Sequence, residues 1–242
     1  MIPHALNGLT YVERLYCYTE SEHTSQLAKK LKEKPSKGFY VLQTDKLTSG
    51  YEILNDTRGG FWVSFVLRQQ SGCSLAFYTQ AAALAIQVVL AQCMDTRSIM
   101  VGWPNEIWCN GKIIGFIHGE HFPDEEDVVI IGLELFINVF HDQIRSGLEV
   151  LYTTMLAETG SCQTIGTTLR VVVEEFDKNI HETGTFLNHH YNEHLYGKGK
   201  NVTIDEKYGT LDHVDENGMA CLIVDGKCIE IVSGKCTYNN RV

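Results

Sequence analysis

The sequence predicts an α+β domain over residues 1–196 followed by a small all-β barrel over residues 197–242. Three observations predict it. Short strand-like runs such as "FWVSFVLR" alternate with segments of helical spacing up to Tyr196. The stretch "SLAFYTQAAALAIQVVLAQCM" is rich in good helix formers, with apolar positions recurring at three and four. After Gly197-Lys198-Gly199-Lys200 the pattern changes to short strands punctuated by Glu216-Asn217-Gly218, Asp225-Gly226 and Ser233-Gly234.

The elements follow in order. "HTSQLAKKLKEK" has helical spacing and ends before Pro35, with Lys29, Lys30, Lys32, Lys34 and Lys37 as a solvated basic helix face. "GFYVLQT" and "FWVSFVLR" read as strands, the second opening after Gly59-Gly60. The long Ala-rich helix comes next. Strands are then expected around Ser98 to Val101, Glu106 to Cys109, Lys112 to His118 and Val128 to Ile137, with Asn110-Gly111 as a two-residue hairpin turn. From Gln163 to Tyr196 the spacing is helical again. Leu169, Val172, Val173, Phe176 and Ile180 form one stripe, and Gly184 divides the segment into two helices.

Composition narrows the function. Hydrophobic residues make up 44% of the 242 positions, enough for a sizeable core. A formal charge of −10 argues against a nucleic-acid-binding surface, which needs a basic stripe. The longest apolar run, "AAALAIQVVLA", contains Gln87 and is too short to span a membrane. The N-terminus lacks a basic-then-apolar signal pattern, so a cytoplasmic protein is expected. Eight cysteines without a C-x-x-C pair read as reduced core thiols, which leaves the sequons at Asn55 and Asn201 unmodified. His118 to His121 ("HGEH") and His189-His190 lack metal-ligand spacing and are expected as surface histidines.

Residues 102–115, "GWPNEIWCNGKIIG", combine a stiff Trp-Pro corner, a hairpin turn and an isolated lysine. Together with the following "FIHGE" they resemble the Trp-Pro-Asn-Asp…Lys-x-x-Gly-Ile-Leu pattern of biotin–protein ligases. "EHTSQLAKKL" resembles the acidic-Ser-Thr-Asn stretch that opens the family's first helix. "QTDKLTSGYEILNDTRGGFWVSFVLR" has the length of its Gln-Thr, loop, Gly-Gly, strand unit. "IIGLELFINVF" is similar to its Gly-x-Gly-x-Asn-Val strand with two extra residues. "TTMLAETG" and the β tail resemble its later segments. The resemblance covers nearly the whole chain. It implies a class II synthetase-like catalytic domain, with a mixed sheet and flanking helices, and an SH3-like C-terminal module. It also implies a reaction: biotin and ATP, with Mg²⁺, give biotinyl-5′-adenylate, and the biotinyl group passes to a lysine of a biotin carboxyl carrier domain of a carboxylase.

On this resemblance Lys112 is the catalytic cation, set beside the biotin carboxylate and the α-phosphate. Two anions must react, so positive charge is required there. Gly115 admits the ligand backbone-close, or is a strand glycine at a bulge. Gln43 and Thr24 match positions that hold the ureido ring, whose one acceptor and two donors suit an amide and a hydroxyl. Gln43 otherwise reads as a strand-end glutamine and Thr24 as a helix N-cap. His23 stands where the family has Ser, and Ser25 where it has Asn. Trp103 is expected as packing that forms one wall of the biotin pocket. Lys46, Arg58, Asn105 and Asn138 are the nucleotide-side candidates, and Glu106 a Mg²⁺ ligand; each also reads as an ordinary polar residue.

The loop after Gln-Thr departs from the family. "DKLTSGYEILNDTRGG" keeps only Gly50, Lys46 and Arg58 of a segment normally rich in Gly and Arg, and Gly102 stands where a lysine is usual. Each missing charge-assisted contact is worth roughly 1.5–3 kcal/mol. A catalytically impaired biotin-binding or regulatory relative is therefore an alternative, and a lipoate ligase-type acyl transferase a third. The basic run would suit an acidic carrier domain. No segment that could form a helix-turn-helix precedes the catalytic unit, so a repressor role is not expected.

Overall fold

The computed structural model describes residues 4–48, 51–95, 98–123 and 125–238. The first part runs β1 (Val12–Tyr18), α1 (Thr24–Lys29), β2 (Phe39–Thr44), β3 (Phe61–Arg68), α2 (Leu75–Ala91), β4 (Ile99–Gly102), β5 (Glu106–Cys109), β6 (Lys112–Phe122) and β7 (Glu125–Leu135). Then come α3 (Met155–Thr159), α4 (Ile165–Asn179) and α5 (Gly184–Glu193). Five strands end the chain: β8 (Asn201–Ile204), β9 (Lys207–Val214), β10 (Ala220–Val224), β11 (Lys227–Ile231) and β12 (Cys236–Tyr238).

β1 to β7 form one mixed sheet in the order β1-β2-β3-β7-β6-β5-β4. β1 and β2 are parallel and the other neighbours antiparallel. The sheet has two unlike faces. Phe39, Val41, Val63, Phe65, Leu133 and Ile117 pack in the core that includes α2 and α4. α2 is buried nearly all round because it lies between the sheet and α4 and α5. Its N-cap Ser74 accepts from the Phe77 amide at 3.2 Å. α4 buries only a stripe, Leu169, Val172, Val173 and Phe176, and sets Phe176 4.6 Å from the Phe65 ring. Each such side chain contributes roughly 1.5–3 kcal/mol through burial. The other face carries the short α1 over Tyr40, Leu42, Val66, Val128 and Ile130.

β8 to β12 form a second, antiparallel sheet in the order β11-β10-β9-β8-β12. Leu211, Val214 and Leu222 of this module share one core with the larger sheet. The seam is aromatic: Trp108 stacks on Tyr196 at 4.1 Å, and Tyr196 meets Tyr238 edge-on at 4.8 Å. Asn192 clamps both backbone groups of Val214, donating to its carbonyl and accepting from its amide, each at 2.8 Å. No helix among the described residues is long and apolar enough to cross a membrane.

Three expectations change. α1 stops at Lys29, so most of the basic run lies beyond the helix. Three of its five lysines are answered within the chain: Lys29 by Glu120 at 2.6 Å, Lys30 by Glu22, Lys34 by Glu125 at 3.8 Å. β1 has no expected counterpart, because an edge strand buries little and "VERLYCY" shows weak alternation. All eight cysteines are free, but only Cys109 and Cys221 are buried; Cys17, Cys93, Cys162 and Cys228 are exposed.

Candidate active site

The strand registers sort the candidate residues by face. Thr44, Trp62, Glu134 and Phe116 form one rung across β2, β3, β7 and β6; Leu42, Ser64, Gly132 and His118 form another on the same side. The rung between them is Gln43, Val63, Leu133 and Ile117, on the α2 side. Thr24 lies on the α1 side, where its Oγ1 is 2.8 Å from Ser64 Oγ. Thr24 and Gln43, expected together on one ureido ring, are therefore separated by the sheet: Thr24 of α1 lies over one face and Gln43 of β2 has the strand phase of the other. Thr24 is also not the helix cap; that position is His23.

The α1 side holds a polar cluster. Glu134 Oε2 accepts from the Tyr51 hydroxyl at 2.7 Å, and Oε1 lies 3.1 Å from His23 Nδ1. His118 Nε2 is 3.7 Å from Oε2. Burial alone would push the Glu134 carboxyl up. The imidazoles of His118 and His23 and the Tyr51 hydroxyl outweigh it and pull the group down to about 2. The Glu134 hydrogen bond in turn raises His23. Tyr51 leans on Trp62 at 5.2 Å and on Phe136 at 6.1 Å, in a small core with Leu47, Leu54, Val139 and Ile144. Leu54 bridges to Ile144, and Asn55 donates to Gln143 O at 2.7 Å. The described part of the divergent loop is thus packed down on this face; Gly50 lies outside the described residues.

Lys112 opens β6. Between β5 and β6 the register slips: Ile107 faces Gly115, but Trp108 faces Ile113 and Cys109 faces Lys112. One extra β6 residue is a bulge. Residues three apart on a regular strand face opposite ways, so the bulge is what puts Lys112 in phase with Gly115. The Lys112 ammonium donates to the Glu149 backbone carbonyl at 2.9 Å. A Cβ on Gly115 would meet Glu134 O at 2.3 Å and Leu135 Cδ2 at 2.5 Å, so the sheet itself requires this glycine.

The remaining candidates fall in separate places. Gln43 is 1% exposed; its Nε2 donates to Asp45 at 3.0 Å and its Oε1 has no partner among the described residues. Trp103 is buried, as packing was expected to be. Its indole donates to Gly218 O at 2.9 Å, and its carbonyl accepts from Tyr238 at 3.2 Å, which ties it to the β module. Arg58 and Asn138 line one groove of about 630 Å³ with Phe140 and Asp142. Asn105 and Glu106 line another, of about 830 Å³, between the β4–β5 turn and β12. Arg58 is bound to Asp56, and Lys46 lies 3.8 Å from Glu20. Asn138 holds the Gln163 backbone at 2.7 Å on both sides. Glu106 accepts from Trp108 Nε1 at 2.9 Å, and Asn105 Nδ2 is 3.4 Å from His118 Nδ1. His118 is exposed, as expected of a surface histidine, and from there reaches both Asn105 and Glu134.

Glu134, Tyr51, Ser64 and His118 were not anticipated. One signal was visible: Glu134 is a lone acid inside the apolar run "VVIIGLELFINV", and a charge there is rarely buried without a partner.

The architecture is a mixed sheet flanked by helices, with a β module sealed onto one end. No protein-family profile and no curated protein matches the sequence. Solved structures do match. The biotin protein ligase of Aquifex aeolicus is similar over 94% of this chain and 99% of its own, with a TM-score of 0.79 at 18% identity. The same protein in complex with biotin and ATP gives 93% and 98%, a TM-score of 0.77 and 19% identity. A biotin protein ligase-like protein of unknown function from Silicibacter gives 86% and 87%, 0.66 and 15%. The chain has the biotin protein ligase fold along nearly its whole length, and its second sheet is consistent with an SH3-like domain.

Proposed function

We propose that this chain is an ATP-dependent biotin–protein ligase, forming biotinyl-5′-adenylate and passing the biotinyl group to a lysine of a biotin carboxyl carrier domain. The observation that carries the reading is the state of Lys112. Its ammonium is held by a neutral carbonyl. Arg58 and Lys46, the other cations considered for the reaction, face carboxylates. A cation parked on a carbonyl keeps its charge for an incoming anion. Beside a carboxylate attacking a phosphate, that charge lowers the barrier most where negative charge gathers. The fold shared with an enzyme solved with biotin and ATP supports these two as substrates.

Mg²⁺ would come with the nucleotide. Among the described residues no three His, Cys, Asp or Glu side chains converge as a metal site. Glu106 can add one carboxylate, and the phosphates would supply most of the ligands, as Mg²⁺ prefers.

A second reading is favoured by the closed face. Tyr51 covers Glu134, and Arg58 is neutralised by Asp56. Such a chain would bind biotin and activate it poorly or not at all. Biotin-dependent exchange of pyrophosphate into ATP separates the two: exchange above a biotin-free control supports the ligase, and binding without exchange supports the impaired relative. Displacement of biotin by lipoate at comparable concentration would instead favour the lipoate-type transferase.

A further inference from the structure

We propose that Glu134 is a ligand-recognising carboxylate that accepts hydrogen bonds from an N–H-bearing head group, and that the Tyr51 hydroxyl keeps that acceptor occupied until the ligand arrives. The inference rests on the biotin reading for the identity of the head group, the ureido ring.

Six polar side chains from five segments meet on one face of the sheet: His23 and Thr24 at the start of α1, Ser64 of β3, His118 of β6, Glu134 of β7 and Tyr51 of the loop. A face that needed only stability would do as well with apolar side chains, because a buried charge costs desolvation that its partners barely offset. The cluster is not sealed. Glu134 keeps 16% of its side chain exposed, with His23 at 32% and His118 at 48% on its rim. Solvent therefore touches the carboxylate, with the two more exposed imidazoles beside it.

The partners of Glu134 differ in kind. His23 is the N-cap of α1 and His118 stands on β6. Tyr51 comes from the loop, so it is the donor that can leave without breaking the sheet. An ureido ring brings two N–H donors, and one of them would replace the phenol donor one for one. The imidazoles and the Thr24 and Ser64 hydroxyls are then the available donors for its carbonyl.

The test is calorimetric titration of biotin into the full-length protein, wild type beside Glu134→Gln and Tyr51→Phe, with biotin methylated on both ureido nitrogens as a second probe. Biotin binding is expected to weaken at least tenfold in Glu134→Gln and to tighten severalfold in Tyr51→Phe, which removes the internal competitor. The methylated probe should bind the wild type poorly, and Glu134→Gln should lose most of that discrimination. A purely structural Tyr51 would give the opposite sign. Near-ultraviolet circular dichroism confirms that both variants are folded. A wild type that binds biotin while both variants match it would remove this inference alone. A wild type that binds no biotin would remove the proposed function and the inference together.

Discussion

The Lys112 ammonium donates to the Glu149 carbonyl at 2.9 Å, and through it the start of β6 is tied to the segment that follows β7. Ile113 reinforces the tie, donating to Leu151 O at 2.8 Å and accepting from Thr153 at 2.9 Å. A ligand anion that recruits Lys112 must therefore release residue 149. Lys112→Ala should abolish pyrophosphate exchange by a factor on the order of 100 or more. It should cost about 1 kcal/mol or less in stability, since one partly exposed hydrogen bond is lost. Exchange kinetics and urea melts on the same preparation check both halves; intact exchange would remove Lys112 from the chemistry.

Glu134 and His23 make stability depend on pH in opposite senses. The Glu134 pKa is lowered from 4.5 to about 2, so its contribution is present above 4.5 and lost as pH falls toward 2. The His23 pKa is raised above 6.5, so its contribution is present below 6.5 and lost as pH rises through the folded value. Their joint contribution is fullest between pH 4.5 and 6.5. Glu134 alone accounts for on the order of 3 kcal/mol. The stability difference between wild type and Glu134→Gln should peak in that window in urea melts run from pH 3 to 9. A flat difference would contradict the network.

Gly115→Ala should destabilise the sheet. The added methyl would collide with the Glu134 carbonyl at 2.3 Å, a backbone atom held in the β6–β7 ladder. Overpacking of this kind costs roughly 1–3 kcal/mol. Thermal unfolding would show it, and an unchanged midpoint would mean the bulge relaxes freely.

Gln43 carries a buried acceptor with no partner among the described residues. Such an orphan costs roughly 1–3 kcal/mol. Gln43→Met removes it along with the bond to Asp45, so the ligand-free protein should be as stable as the wild type or slightly more so. If Gln43 serves a ligand, biotin affinity should fall in the same variant. A clear loss of stability would show that Gln43 is structural.

Much of the fold was legible from local patterns. β3 and β5 match their expected runs, Asn110-Gly111 makes the hairpin with φ values of 49° and 77°, and Gly184 opens α5 behind the Thr183 cap. These depend on neighbours in sequence, so a one-dimensional reading captures them. The sites were less legible. Trp103 reads as a pocket wall in its motif, yet its partner is Gly218 of the β module. Arg58 reads as a nucleotide-side candidate, and Asp56 two residues away holds it.

By itself the sequence determined the succession of α+β and all-β patterns and, through its resemblance to the ligase motifs, the candidate lysine at position 112 and the departure of the loop from that pattern. These follow from periodicity, turn chemistry and motif order, all properties of the chain. Only the tertiary structure decided that Thr24 and Gln43 lie on opposite faces, that a bulge brings Lys112 into phase with Gly115, and that Tyr51 rests on Glu134. Pleat phase is set by strand pairing, and a carboxylate's charge state by what surrounds it. Both depend on residues brought together from far along the chain.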